Sequence, residues 1–206
     1  MQINHTAVPT VFASYGKHGD WEWMRDQPYW AHCLFVFNDN EEQFDAFISG
    51  LDSGYTRGAG NAVARPWRQL NPPKSAGIPT GKLGFGYRHL DPAAKEKIDQ
   101  ALTVVYDLLK SFYYDHLVFS SDESMSTLGI GTFEVGEDVR KYIFNRLTQT
   151  PDEWKQFIHE RTNEKFRQVS KAYREACKNG EQTDETNPVV QKTRDDFRQL
   201  LQIRRK

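Results

Sequence analysis

Residues Cys33-Leu34-Phe35-Val36-Phe37 form an unbroken apolar run of strand length, cut off abruptly by Asn38-Asp39-Asn40. A strand with one wet face alternates apolar and polar residues. A continuous run needs cover on both faces, which is the situation of a strand inside a parallel sheet flanked by helices. His116-Leu117-Val118-Phe119-Ser120 repeats the feature. The two runs predict neighbouring buried strands, with a shorter strand at Val11 to Tyr15. The expected fold is α/β: a mixed, mostly parallel sheet with helices on both faces.

The helices are legible between these runs. Glu41 to Ile48 carries Phe44, Phe47 and Ile48 at helical spacing. Asp91-Pro92 supplies an N-cap and a first-turn proline, and Ile98, Ala101, Leu102, Val105, Leu108, Leu109 and Phe112 follow an i, i+3, i+4 stripe. Glu137 to Leu147 presents Val139, Ile143 and Leu147 on one face, and Thr150-Pro151-Asp152-Glu153 starts a further helix through Trp154, Phe157 and Ile158. That helix turns highly charged toward Lys178 and ends at Asn179-Gly180. Residues 180–188 read as a linker, followed by a last amphipathic piece with Phe197, Leu200 and Leu201. The expected division is a domain over 1–150 and a charged C-terminal helical extension over 151–206. Residues 16–32, rich in Trp and charge, read as a structured loop or broken helix, and 71–87 as a long ordered connection or a set of short elements.

The chain has 206 residues, enough for a core that needs no staples. Its formal net charge of −1 gives no basic field, so nucleic acid is not the expected partner. Cys33 and Cys177 match no metal spacing, and the six histidines are scattered, so no metal and no cofactor is expected. No apolar leader opens the sequence and no run is long enough to span a bilayer, which gives a cytoplasmic expectation without membrane contact. Gly77 to Lys82 falls one residue short of a P-loop, and Gly58-Ala59-Gly60 lacks a third glycine. The sequence contains neither GxSxG nor HExxH.

Ligands of open α/β sheets bind outside the carboxyl ends of strands, where glycines let the backbone approach. Candidate loops are Asn38-Asp39-Asn40 after the first run, Gly58-Ala59-Gly60-Asn61-Ala62, Gly77-Ile78-Pro79-Thr80-Gly81, and the stretch from Ser120 to Gly129-Ile130-Gly131-Thr132. In this order the motifs resemble those of the macrodomains, the ADP-ribose-binding α/β family. Asn38 and Asn40 resemble the paired asparagines after a core strand, Gly58 and Gly60 the glycine loop at the distal ribose, and Gly129, Gly131 and Thr132 the late diphosphate loop. Asp20 is the nearest candidate for the family's adenine-contacting aspartate. Residues 41–57 are an insertion relative to the family, and Phe133 stands where its second late glycine would be.

The resemblance implies a nucleotide-like small-molecule ligand, ADP-ribose or a related phosphate-bearing nucleotide, and hydrolysis of an ADP-ribose derivative. Ligand contacts are then expected from Asn38, Gly58, Gly60, Asn61, Thr80, Ser120, Gly129, Gly131 and Thr132. Asp39 and Asn40 are the candidates to orient ribose or water. Two other readings stay open. One is a non-catalytic nucleotide-sequestering protein. The other is a protein-interaction module with structural glycine loops, whose C-terminal helices bind a protein partner.

Overall fold

The computed structural model describes residues 5–13, 16–129 and 134–178. Four strands form one sheet, β1 (Thr6–Val11), β2 (Cys33–Asp39), β3 (Ser75–Pro79) and β6 (His116–Ser121), in the order β1-β6-β2-β3. Every pairing is parallel. The expected α/β class with a parallel sheet is therefore observed, but the four strands are parallel throughout rather than mixed. A separate two-residue ladder pairs β4 (Gly81–Lys82) with β5 (Phe85–Gly86) antiparallel.

The unbroken apolar runs became the two central strands. Phe35 pairs with Val118, and Leu34 with Leu117. Side chains alternate across a strand, so each run feeds two cores. On one face, Cys33, Phe35, Phe37 and Val118 pack with Trp21 and Met24 of α1 (Trp21–Arg25) and with Ala64 and Trp67 of a 3-10 segment, Gly60–Gln69. Phe35 sits between the Trp21 and Trp67 rings, at 5.5 and 5.4 Å between centroids. On the other face, Phe119 meets Phe144 of α4 (Glu137–Leu147) edge to face at 5.6 Å. There α3 (Pro92–Ser111) buries Ile98, Ala101, Leu102, Val105 and Leu109. It starts as its sequence dictates, with Asp91 accepting from the Ala94 N–H and Pro92 in the first turn.

The handedness of crossovers explains this division. The steps β1 to β2 and β2 to β3 run one way across the sheet, through α1 and the 3-10 segment. The step β3 to β6 runs back, through α3. Right-handed connections in opposite directions must lie on opposite faces.

At the sheet edges one expectation changes and one of two alternatives is observed. The first strand is Thr6–Val11, not Val11 to Tyr15; Ser14 and Tyr15 lie outside the described residues. The stretch 71–87 resolves as the set of short elements, holding β3, β4 and β5. Both edge strands carry a proline, Pro9 and Pro79, and little apolar bulk. An edge strand tolerates a residue without an N–H, whereas a pattern search reads proline as a strand breaker. Residues 16–32 hold α1 and a 3-10 turn at Pro28–Trp30, as a broken helix should. Between β2 and the 3-10 segment, α2 spans Glu41–Ile48, and α5 covers Pro151–Lys178.

The chain divides into two compact units, Met1–Pro151 and Asp152–Lys206. In the second, Trp154 and Phe157 meet edge to face at 5.8 Å, and Lys171 pairs with Glu175 one turn on. The proposed linker over 180–188 and the piece through Phe197, Leu200 and Leu201 lie outside the described residues. Among the described residues, no helix is long and apolar enough to cross a membrane.

The central position of Phe35 sets a stability test. Phe35→Ala removes a ring held between two tryptophans at 0% exposure. It should lower unfolding free energy by about 3–5 kcal/mol, read as a shifted urea midpoint.

Candidate functional site

All four parallel strands end at the same edge of the sheet. The chain leaves β2 toward the face covered by the 3-10 segment and leaves β6 toward the face covered by α4. Adjacent strands whose exits diverge in this way leave a crevice at their carboxyl ends. A cavity of about 360 Å³ lies at the carboxyl end of β2, bounded by Asn38 to Asn40, by Gly58 to Ala62 with Arg65, and by Thr80 just past β3. Seven of the residues singled out from sequence, Asn38, Asp39, Asn40, Gly58, Gly60, Asn61 and Thr80, thus line one cavity. They come from segments up to 42 residues apart (38 to 80).

Ser120 and Gly129 lie behind this lining and serve as its framework. Asn61 Oδ1 accepts the Asn38 backbone N–H at 3.1 Å, and Asn61 Nδ2 donates to Ser120 Oγ at 2.8 Å. Asn38 Nδ2 donates to Gly129 O at 3.0 Å. The network ties β2, the 3-10 segment, β6 and the stretch after it, so Asn38, Asn61 and Ser120 spend most of their capacity on one another. Gly131 and Thr132 lie outside the described residues. Asp20 caps α1, accepting the Glu22 and Trp23 N–H groups, and does not line the cavity.

Asp39 is the structural centre of the site. Its side chain is fully buried, and it receives two guanidinium groups. Arg65 donates from Nε and Nη2 to Oδ1 at 3.0 and 2.7 Å, and Arg68 donates from Nη2 to Oδ2 at 2.5 Å. The Asn40 N–H adds a third donor group to Oδ1, at 3.1 Å. Both carboxylate oxygens are engaged by guanidiniums, so Asp39 acts on the site through the arginines it holds. Asn40 spends Oδ1 as the N-cap of α2, accepting from Gln43 N at 3.2 Å. Its Nδ2 has no partner among the described residues and is the free polar end at the cavity. Thr80 Oγ1 donates to Asp39 O at 3.3 Å, joining β2 to the exit of β3.

Arg65 and Arg68 were not among the residues read from sequence. A signal was present: in a 3-10 helix, side chains three apart eclipse, so arginines at i and i+3 project along one row toward the same partner. The two differ in surroundings. Arg68 is enclosed, its guanidinium 4.7 Å from the Phe37 ring and 4.3 Å from Phe47, and burial pulls its pKa down from the usual arginine value against the opposing pull of Asp39. Arg65 sends Nη1 to Thr56 O at 2.7 Å and forms part of the cavity wall. Asp39 and Arg65 are the two charged residues of that wall. Guanidiniums stay protonated, so two of them against one carboxylate leave one positive charge in excess beside the cavity.

The glycines have separable reasons. A Cβ on Gly77 would come 2.5 Å from Asp39 Oδ2 and collide with Arg68 Nη2, so β3 passes the ion pair only as glycine there. Gly60 has φ +58° with nothing within 4 Å of a built Cβ, so its backbone faces open space. The 3-10 segment begins at Gly60 with no side-chain cap, and the N–H groups of Gly60 and Asn61 have no partner among the described residues.

No family model matches this chain, and neither curated proteins nor solved structures yield a match.

The Asp39 cluster predicts its own fragility. Asp39→Asn keeps the volume but leaves two buried guanidiniums without a counter-charge. It should cost about 3–5 kcal/mol of unfolding free energy, measured by urea denaturation. A change within about 1 kcal/mol would mean that the arginines are not held by this carboxylate.

Proposed function

We propose that the first unit binds a phosphate-bearing nucleotide of the ADP-ribose kind in the cavity at the carboxyl end of β2. The observation that carries this reading is the unbalanced charge. The Asp39–Arg65–Arg68 cluster carries one positive charge in excess, and its Arg65 lines the cavity beside the uncapped start of the Gly60–Gln69 segment. A phosphate supplies both the missing negative charge and acceptors for the unpaired N–H groups of Gly60 and Asn61. Asn40 Nδ2 and the Thr80 side chain add neutral polar groups suited to sugar hydroxyls. A cavity of about 360 Å³ falls within the range of small-molecule sites. The order of motifs resembling the macrodomains supports the same ligand class.

The reading is of a binding site first. Hydrolysis of an ADP-ribose derivative would have to proceed through an oriented water, with Asn40 as the group to hold it, because the Asp39 carboxylate is occupied by its arginines. Sequestration without turnover uses the same contacts.

A panel of ADP-ribose, AMP, ribose and inorganic phosphate in a thermal-shift assay tests the ligand class. A ligand at about 100 times its dissociation constant should stabilise the fold by about 2.7 kcal/mol. Gly60 permits a matched pair of variants, because Asn and Asp both tolerate positive φ and differ mainly in charge. Gly60→Asp should weaken ADP-ribose binding at least tenfold more than Gly60→Asn in calorimetry. Equal effects of the two, or no stabilisation by any phosphate-bearing member of the panel, would remove the anion-site reading. Product formation from an ADP-ribosylated peptide, lost in Asn40→Ala with affinity largely kept, would separate enzyme from sink.

A further inference from the structure

The edge of the sheet opposite the cavity carries a second constellation. Cys33 opens β2, His116 opens β6, and the two are register partners in the parallel ladder. Asp115 precedes His116, its backbone N–H held by His32 O at 3.0 Å. One ligand-type atom from each of Cys33, Asp115 and His116 lies within 4.8 Å of the other two. We propose that these three residues form a binding site for a zinc-class divalent cation, with a fourth position for water.

The donor set carries the choice of metal. Thiolate, imidazole and carboxylate are the ligand types of zinc, and three of them with one open position is a familiar zinc arrangement. Ligand atoms about 2.0–2.3 Å from a tetrahedral ion lie about 3.3–3.8 Å apart, so binding draws the cluster together by up to about 1 Å and replaces the Asp115–His116 hydrogen bond. Charge also balances. Binding displaces the Cys33 thiol proton to solvent as the sulfur–metal bond forms. A dication, a thiolate, a carboxylate and a neutral imidazole then sum to zero, which suits a cysteine with 0% exposure.

The histidine is held for the task. Nδ1 is 2.7 Å from Asp115 Oδ1, and Nε2 is 3.4 Å from the Tyr29 hydroxyl. With Nδ1 on the ion, Nε2–H donates to Tyr29, the kind of outer contact that fixes a metal-bound imidazole. The rings of Tyr29 and Trp30 lie 5.2 and 5.3 Å from the imidazole and restrict its rotation. The metal would join the amino ends of β2 and β6, with no residue in common with the phosphate cavity.

Cobalt(II) is the probe, because thiolate–cobalt bonds absorb in the near ultraviolet and the chain has only two cysteines, Cys33 and Cys177. Titration of the full chain should give one equivalent of thiolate–cobalt absorption. Cys177→Ser should keep it and Cys33→Ser should lose it. His116→Asn alters a partly exposed side chain and leaves the strand intact, so it guards against loss through misfolding; it should weaken cobalt binding at least tenfold. Zinc should raise the melting temperature of the wild type and not of His116→Asn. Absence of the absorption at micromolar cobalt, its survival in Cys33→Ser, or unchanged affinity in His116→Asn would each overturn the site.

Discussion

The buried carboxylate of Asp39 is the constraint around which this end of the molecule is arranged. It stands at the last position of β2, where the strand leaves the apolar core, and it is stable there only because two guanidiniums reach it. An isolated charge at full burial would be prohibitive. The requirement propagates outward. It needs a segment that brings two arginines to one side, which Gly60–Gln69 does through the three-residue repeat of a 3-10 helix. It needs a neighbouring strand without a side chain at Gly77. It needs aromatic cover for the more enclosed arginine, which Phe37 and Phe47 supply. What remains is one unbalanced positive charge in the cluster beside the cavity, so the device that closes the core also sets the electrostatics of the site.

The sheet makes this possible by inserting β6 between β1 and β2. The insertion sends the return connection through α3 to the face opposite the first two and opens the strand ends to a ligand. The same insertion sets β2 and β6 side by side at their amino ends, where Cys33 and His116 become register partners. One pairing therefore organises two edges. At one, neutral amides, Arg65 and unpaired N–H groups suit an anion. At the other, a thiol, a carboxylate and an imidazole suit a cation.

Several residues that resemble ligand contacts in sequence turn out to be fasteners. Asn61 joins β2 to β6 through Ser120, Asn38 reaches Gly129, and Asn40 caps α2. An asparagine after a strand can hold the backbone or a ligand with the same atoms, and residue type does not distinguish the two uses. Position does. The groups left with spare capacity, Asn40 Nδ2 and the Gly60 and Asn61 N–H groups, belong to residues that line the cavity.

The sequence by itself determined the α/β class with a mostly parallel sheet, the two central strands, and the spans of α2, α3 and α4. These follow from unbroken apolar runs, from periodicity, and from caps such as Asp91-Pro92, all of which act over a few residues. It also marked Asn38 to Asn40 and Gly58 to Ala62 as loop candidates near the strand ends, although β2 continues through Asn38 and Asp39 and a 3-10 segment starts at Gly60. Only the tertiary structure decided the edge strands, since Pro9 and Pro79 are tolerable through a pairing that no local pattern reveals. Only it disclosed that Asp39 belongs to Arg65 and Arg68, 26 and 29 residues away. The meeting of Cys33 with His116 likewise follows from strand order, because 83 residues separate them (33 to 116) and only the insertion of β6 beside β2 makes them neighbours. Local chemistry writes elements into a sequence, whereas the pairing of charges and ligands is fixed by which elements the fold sets side by side.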